Sequence, residues 1–158
     1  MLEFAVRKPD VPDSIIAPPD EELVLVTRAT GFQIYVCRSA PGEAPAWVLK
    51  APDATLLDQQ GHVIGKHFGG PTWRHNDASE ITARMAGKAD APEPDAIPWL
   101  LLKVTGHSGN GAFSRVTTIQ RINTIGGLAP AAGCTQTNSE AEHKSSYSAD
   151  YYFYARPE

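Results

Sequence analysis

One glycine-rich run carries side chains that could do metal chemistry. Between Gly61 and Thr82 lie three of the five histidines, four of the 13 glycines and Trp73. No other stretch crowds hydrogen-bonding, metal-capable and aromatic groups so closely. His67, His75 and Asp77 supply two imidazoles and a carboxylate, a donor set that suits zinc or copper in a metal-dependent enzyme or a metal carrier. His75 and Asp77 are two apart, so extended backbone points them the same way. His62 and His67 are five apart and face opposite sides of a strand, which makes them poor co-ligands. Surface histidines beside a Gly69-Gly70-Pro71 turn account for the same residues, and no dense zinc-finger spacing accompanies them.

Nucleophilic and paired-acid chemistry have weaker support. Gly106-His-Ser-Gly-Asn110 is one glycine short of a nucleophile elbow, and Ser108 lies between two strand-like segments where the elbow needs a strand followed by a helix. Cys37 falls in mid-strand with no base near it in sequence. Asp53, Asp58, Asp77 and Asp95 all flank turns, where aspartate is favoured for local backbone bonding. No catalytic residue is assigned, and the balance leans away from an enzyme.

A small-ligand pocket is the strongest site expectation. In Ile97–Thr105, Leu100, Leu102 and Val104 share a core face, while Trp99, Leu101 and Lys103 share the other. Arg121 lies on one face of the next strand with Ile119 and Asn123. Pairing of these strands through the Gly109-Asn-Gly111 turn would let Lys103 and Arg121 flank a concave surface lined by Trp99. With His67 and Trp73 nearby, such a surface suits a carboxylate or other anionic small molecule. The competing reading is a solvated sheet face whose cations lie over aromatic rings. The strand Tyr147–Tyr154 could alternatively offer rings to a sugar. Its rings fall on both faces, however, which fits burial between layers better.

The elements that must position these groups are short and β-like. At 158 residues the chain is long enough for one sizeable core. A net charge of −4, with the basic residues scattered, argues against nucleic acid. The longest apolar run, Ala96–Leu102, cannot cross a bilayer. Residues 1–20 carry four prolines and no sustained period, so they predict an extended leader on the surface, with 21–158 forming a single domain. Glu22–Ala29 and Gly31–Arg38 predict two strands joined at Thr30-Gly31. Ala46–Lys50 and Ala54–Asp58 predict two more, parted by Pro52-Asp53. His62–Phe68, Ser79–Met85, Ile97–Thr105, Ala112–Ile125 and Tyr147–Tyr154 follow. Gly87–Pro94 is a loop. No stretch of 12 residues keeps a helical period. The expected fold is all-β: an antiparallel β-sandwich or flattened β-barrel of about eight to ten strands.

Cys37 and Cys134 are too few for a zinc site by themselves. A lone, well-separated pair suits a disulfide in an oxidising compartment, with two buried free thiols as the alternative. The first ten residues hold no apolar signal core. Either the protein is cytoplasmic, or these residues follow a removed leader peptide.

Four segments together resemble the bacterial and fungal domain-of-unknown-function family 3455. They are Gly31-Phe-Gln-Ile-Tyr-Val-Cys37, Gly65-Lys-His-Phe-Gly-Gly-Pro-Thr-Trp73, Ala96-Ile-Pro-Trp-Leu-Leu-Leu102, and Ile119-Gln-Arg-Ile-Asn-Thr-Ile-Gly-Gly-Leu-Ala-Pro130 running on to Cys134. Tyr147-Ser-Ala-Asp-Tyr-Tyr-Phe-Tyr154 ends the match. Where the family pattern has Asp-Gly-Ser, this chain has Asp77-Ala78-Ser79. The resemblance implies extracytoplasmic members and no established activity. Some fungal members carry a malate dehydrogenase-like label, but this chain has no Gly-x-Gly-x-x-Gly opening a helix and no βαβ unit to hold one.

The leading expectation is a periplasmic or secreted, non-catalytic binding or interaction module without a cofactor. Its pocket would form around His67, Trp73, Trp99, Lys103 and Arg121. The rival is a zinc or copper protein built on His67, His75 and Asp77, and a third class is a purely structural envelope protein. Nothing in the sequence sets an oligomeric state.

Overall fold

The computed structural model describes residues 7–158, so the first six residues of the Pro-rich leader lie outside it. Among the described residues it has eight strands: β1 (Glu22–Arg38), β2 (Ala46–Leu57), β3 (Val63–Phe68), β4 (Thr72–His75), β5 (Glu80–Ala89), β6 (Trp99–Ser108), β7 (Val116–Gly126) and β8 (Glu142–Ala155). Two single-turn 3-10 helices, Asp13–Ile15 and Gln136–Asn138, complete the list. Each strand runs antiparallel to the next, and β8 returns to pair with β1 over most of its length. The sheet therefore closes on itself as an up-and-down barrel. This is the all-β antiparallel architecture expected, in its barrel form. Closure leaves no open sheet edge, the device by which small β proteins avoid edge-to-edge association.

Two of the expected breaks are absent. β1 is one 17-residue strand, with Gly31 in its interior. Gly31 permits a close approach: a Cβ there would lie 2.2 Å from the Asp53 carbonyl oxygen on β2. β2 likewise runs straight through Pro52, which faces Gln33 of β1. Its ladder with β3 begins only at Ala54, so at Pro52 the strand has a single neighbour and the missing N–H costs no second ladder bond.

Inward-facing residues of all eight strands build one core, including Ala29, Leu56, Trp73, Ile81, Leu102, Ile119, Tyr151 and Phe153. At the end carrying the β4–β5 and β6–β7 turns, Phe113 packs on Phe153 with ring centroids 4.9 Å apart and fills the lumen. The leader adds a second buried layer outside the barrel. Ile15 is fully buried, and its carbonyl accepts a 2.8 Å hydrogen bond from Gln120 Nε2 on the outer face of β7. Tyr154 donates its hydroxyl to Gln120 Oε1. Gly87 makes room for the leader, because a Cβ there would meet the Ser14 carbonyl oxygen at 2.1 Å. The segment is thus anchored as well as superficial.

Cys37 and Cys134 form a disulfide across 97 residues of sequence. It ties the end of β1 to the long β7–β8 connection, where Trp47 Nε1 also donates to the Ala132 carbonyl. No helix among the described residues is long and apolar enough to cross a membrane.

Candidate functional site

A cavity of about 340 Å³ occupies the lumen toward the end opposite Phe113. Period-two alternation brings its lining together. On β3 and β4, His67 pairs in register with Trp73, and both face inward. Their rings stack at 4.2 Å, and Tyr151 of β8 meets both edge-on, at 5.1 and 5.6 Å. From β1 comes Gln33, from β6 Leu100 and Leu102, and from β7 Arg121. Pro52 and Pro71 add apolar wall, while the exposed Leu49 and Met85 stand at the mouth.

Arg121 is the charge of this lumen. Its Nε and Nη2 donate to the Pro98 carbonyl at 3.1 and 2.7 Å, which fixes the guanidinium by its edge. It makes no ion pair among the described residues, and no Asp or Glu lines the cavity. The other lining cation, Lys50, is already paired with Glu142 at 2.5 Å. Burial raises the phenols of Tyr35, Tyr147 and Tyr151, and in each case the Arg121 charge pulls partly the other way.

His67 is held neutral. Burial lowers its pKa to about 3, against a raising contribution from the Thr72 backbone, with Arg121 lowering it further. Nδ1 lies 2.8 Å from the Thr72 carbonyl oxygen, so in the neutral ring Nδ1 carries the proton and Nε2 keeps a free lone pair. Two more polar atoms in the wall are buried without a partner among the described residues, the Gln33 Oε1 acceptor and the Trp73 Nε1 donor.

The expected ligand set is therefore only partly assembled. His67, Trp73 and Arg121 share the cavity; Trp99 and Lys103 do not. The register of β6 and β7 explains the difference. Arg121 stands opposite Leu100 and Lys103 opposite Thr118, so Arg121 shares the inward face of Leu100 and Leu102. Lys103 is exposed on the outer face, as the alternation of β6 requires. A register one residue away would have put Arg121 beside Trp99, because a single-residue slip exchanges the faces of a strand.

The metal set assembles only in part: His75 Nδ1 lies 3.2 Å from Asp77 Oδ2, as their spacing of two predicts, but His67 stands apart. Among the described residues no three His, Cys, Asp or Glu side chains gather where they could hold an ion. His67 stacks in the lumen, whereas His75 pairs in register with Gly65, further along the barrel. Asp77 is committed to the turns. Its Oδ1 accepts from Ser79 N and Oγ at 2.9 and 2.6 Å, and its Oδ2 from Ala112 N at 2.8 Å. Partial desolvation pushes its carboxyl up, but these hydrogen bonds outweigh it and hold the pKa at about 2. The intervening Ala78 takes the left-handed conformation at φ 76°, so the turn forms without glycine.

Gln33 and Tyr151 were not among the expected site residues. Both lie at regular alternate positions, and the aromatic richness of Tyr147–Tyr154 was the one visible signal. Gln33 reads as the polar, outward side of β1 until the barrel closes around it.

The model of the family described as "Protein of unknown function (DUF3455)" matches residues 18–155. The chain belongs to that family. The DUF3455 match takes in all eight strands and every residue lining the cavity, while most of the anchored leader precedes it. No curated protein and no solved structure matches the chain.

Proposed function

We propose that this DUF3455 protein is an extracytoplasmic binding module that takes a small anionic molecule into its barrel lumen. The observation that carries the reading is Arg121, a cation fixed in the wall of a cavity that offers it no counter-charge. A carboxylate would supply that charge in the bidentate geometry guanidinium favours. The cavity volume and its largely apolar walls fit a compact organic acid. Binding without catalysis is favoured because the imidazole that lines the cavity is held near pKa 3 and no carboxylate among the described residues lines it. Acid–base catalysis near neutrality needs a group poised closer to the working pH. The Cys37–Cys134 disulfide supports a periplasmic or secreted setting, since such bonds persist where the surroundings are oxidising.

A thermal-shift panel of monocarboxylates and dicarboxylates tests this, with matched neutral alcohols as controls. At least one acid should raise the melting temperature while its alcohol does not. Arg121→Gln should abolish the shift with the fold intact by circular dichroism, and Lys103→Ala on the outer face should leave it unchanged. Equal shifts for acid and alcohol, or an undiminished shift in Arg121→Gln, would refute the assignment.

A further inference from the structure

The lumen asks for more than an anion. A ligand that only satisfied Arg121 would leave two acceptors in the same wall unanswered. One is Gln33 Oε1, buried without a partner among the described residues on a residue 3% exposed. The other is the Nε2 lone pair of His67, which makes no hydrogen bond to the described residues while Nδ1 faces the Thr72 carbonyl. A carboxylate cannot serve either, because it too only accepts. Burying an acceptor against an acceptor carries the full desolvation penalty of both groups.

We infer that the ligand carries a hydroxyl donor as well as its carboxylate, joined by an apolar body that fits between Leu100, Leu102 and the Trp73–His67 stack. This rests on the anion reading and narrows it to the hydroxylated carboxylates. The donors and acceptors of the wall divide accordingly. Arg121 and Trp73 Nε1 answer the carboxylate, and Gln33 Oε1 accepts the one proton of the hydroxyl, which leaves the His67 Nε2 lone pair to a bridging water or a second donor on the ligand. Burial of His67 keeps its ring neutral well below physiological pH, so its lone pair stays available to a donor. The exposed Leu49 and Met85 at the mouth favour an apolar body over a polyhydroxylated one.

Isothermal titration calorimetry at pH 7 with cinnamate and with its 2-, 3- and 4-hydroxy isomers separates the possibilities. These probes share a planar body and a carboxylate and differ in one donor. At least one isomer should bind about tenfold tighter than cinnamate, the ratio expected when a buried acceptor gains its partner. Gln33→Met, close in size and without the acceptor, should reduce that preference while leaving cinnamate affinity nearly unchanged. If cinnamate binds as tightly as every hydroxylated isomer, the inference falls and the anion reading stands. Tighter binding of 4-hydroxycinnamyl alcohol than of 4-hydroxycinnamate would overturn the anion reading itself. Failure of all four acids to bind the folded protein would remove this ligand class.

Discussion

At the scale of single residues, His67 couples the site to stability. Its imidazole is 4% exposed and stays neutral down to about pH 3, while in an unfolded chain it takes up a proton near the ordinary 6.5. Between those values the unfolded state binds a proton that the folded state refuses, so stability falls as pH falls. Its contribution is complete above pH 6.5. Lowering the pH from 8 to 5 should cost about 2 kcal/mol from this residue alone, at 1.36 kcal/mol per pH unit below 6.5. Denaturant unfolding at pH 8, 6.5 and 5 should show that slope. His67→Asn should be less stable at pH 8 yet lose less on acidification, and an unchanged slope would place the buried titration elsewhere.

At the scale of elements, the leader matters more than its proline content implies. Four prolines in residues 1–20 make it extended, and an extended segment reads as peripheral. Yet Ile15 is fully buried against the outer faces of the strands, and its carbonyl satisfies Gln120. Ile15→Ala should lower unfolding free energy by about 2–5 kcal/mol, the usual cost of truncating a buried aliphatic side chain. The neighbouring Ile16, half exposed, should tolerate alanine with a change within about 0.5 kcal/mol. Similar losses at the two positions would show that the leader does not pack as described. The strands themselves were largely legible, because alternation is a local property with a period of two. Where β1 and β2 were expected to break they continue, since Gly31 and Pro52 answer to neighbouring strands rather than to turns.

For the whole molecule, closure and the disulfide act together. β1 and β8 share the longest ladder in the barrel, yet β8 follows the irregular β7–β8 connection that Cys134 staples back to β1. Joining residues 97 apart removes much of the freedom of the unfolded chain. The chain-entropy model sets a ceiling of about 4–5 kcal/mol, and measured losses on removing such bonds run about 2–5 kcal/mol. A Cys37→Ser/Cys134→Ser double variant should fall in that range by chemical denaturation. Free thiols titrating in the native, unreduced protein would contradict the bond. The variant should keep the proposed carboxylate binding when folded, because neither cysteine lines the cavity.

Alternating residues, the spacing of glycine and proline, and the absence of any helical run determined from the sequence alone that this protein is all-β. The separation of its two cysteines suggested the disulfide, and its acidic balance argued against nucleic acid. Which face of each strand turns inward was decided only by the tertiary structure. Period two sorts residues into two faces without saying which is inside, and here both sides of several strands are buried, one by the lumen and one by the leader. The β6–β7 register sent Arg121 inward and Lys103 outward, a choice that one residue of slip would reverse. Ring closure then placed Gln33 and Tyr151 beside Arg121 and His67, residues that no local pattern could have joined.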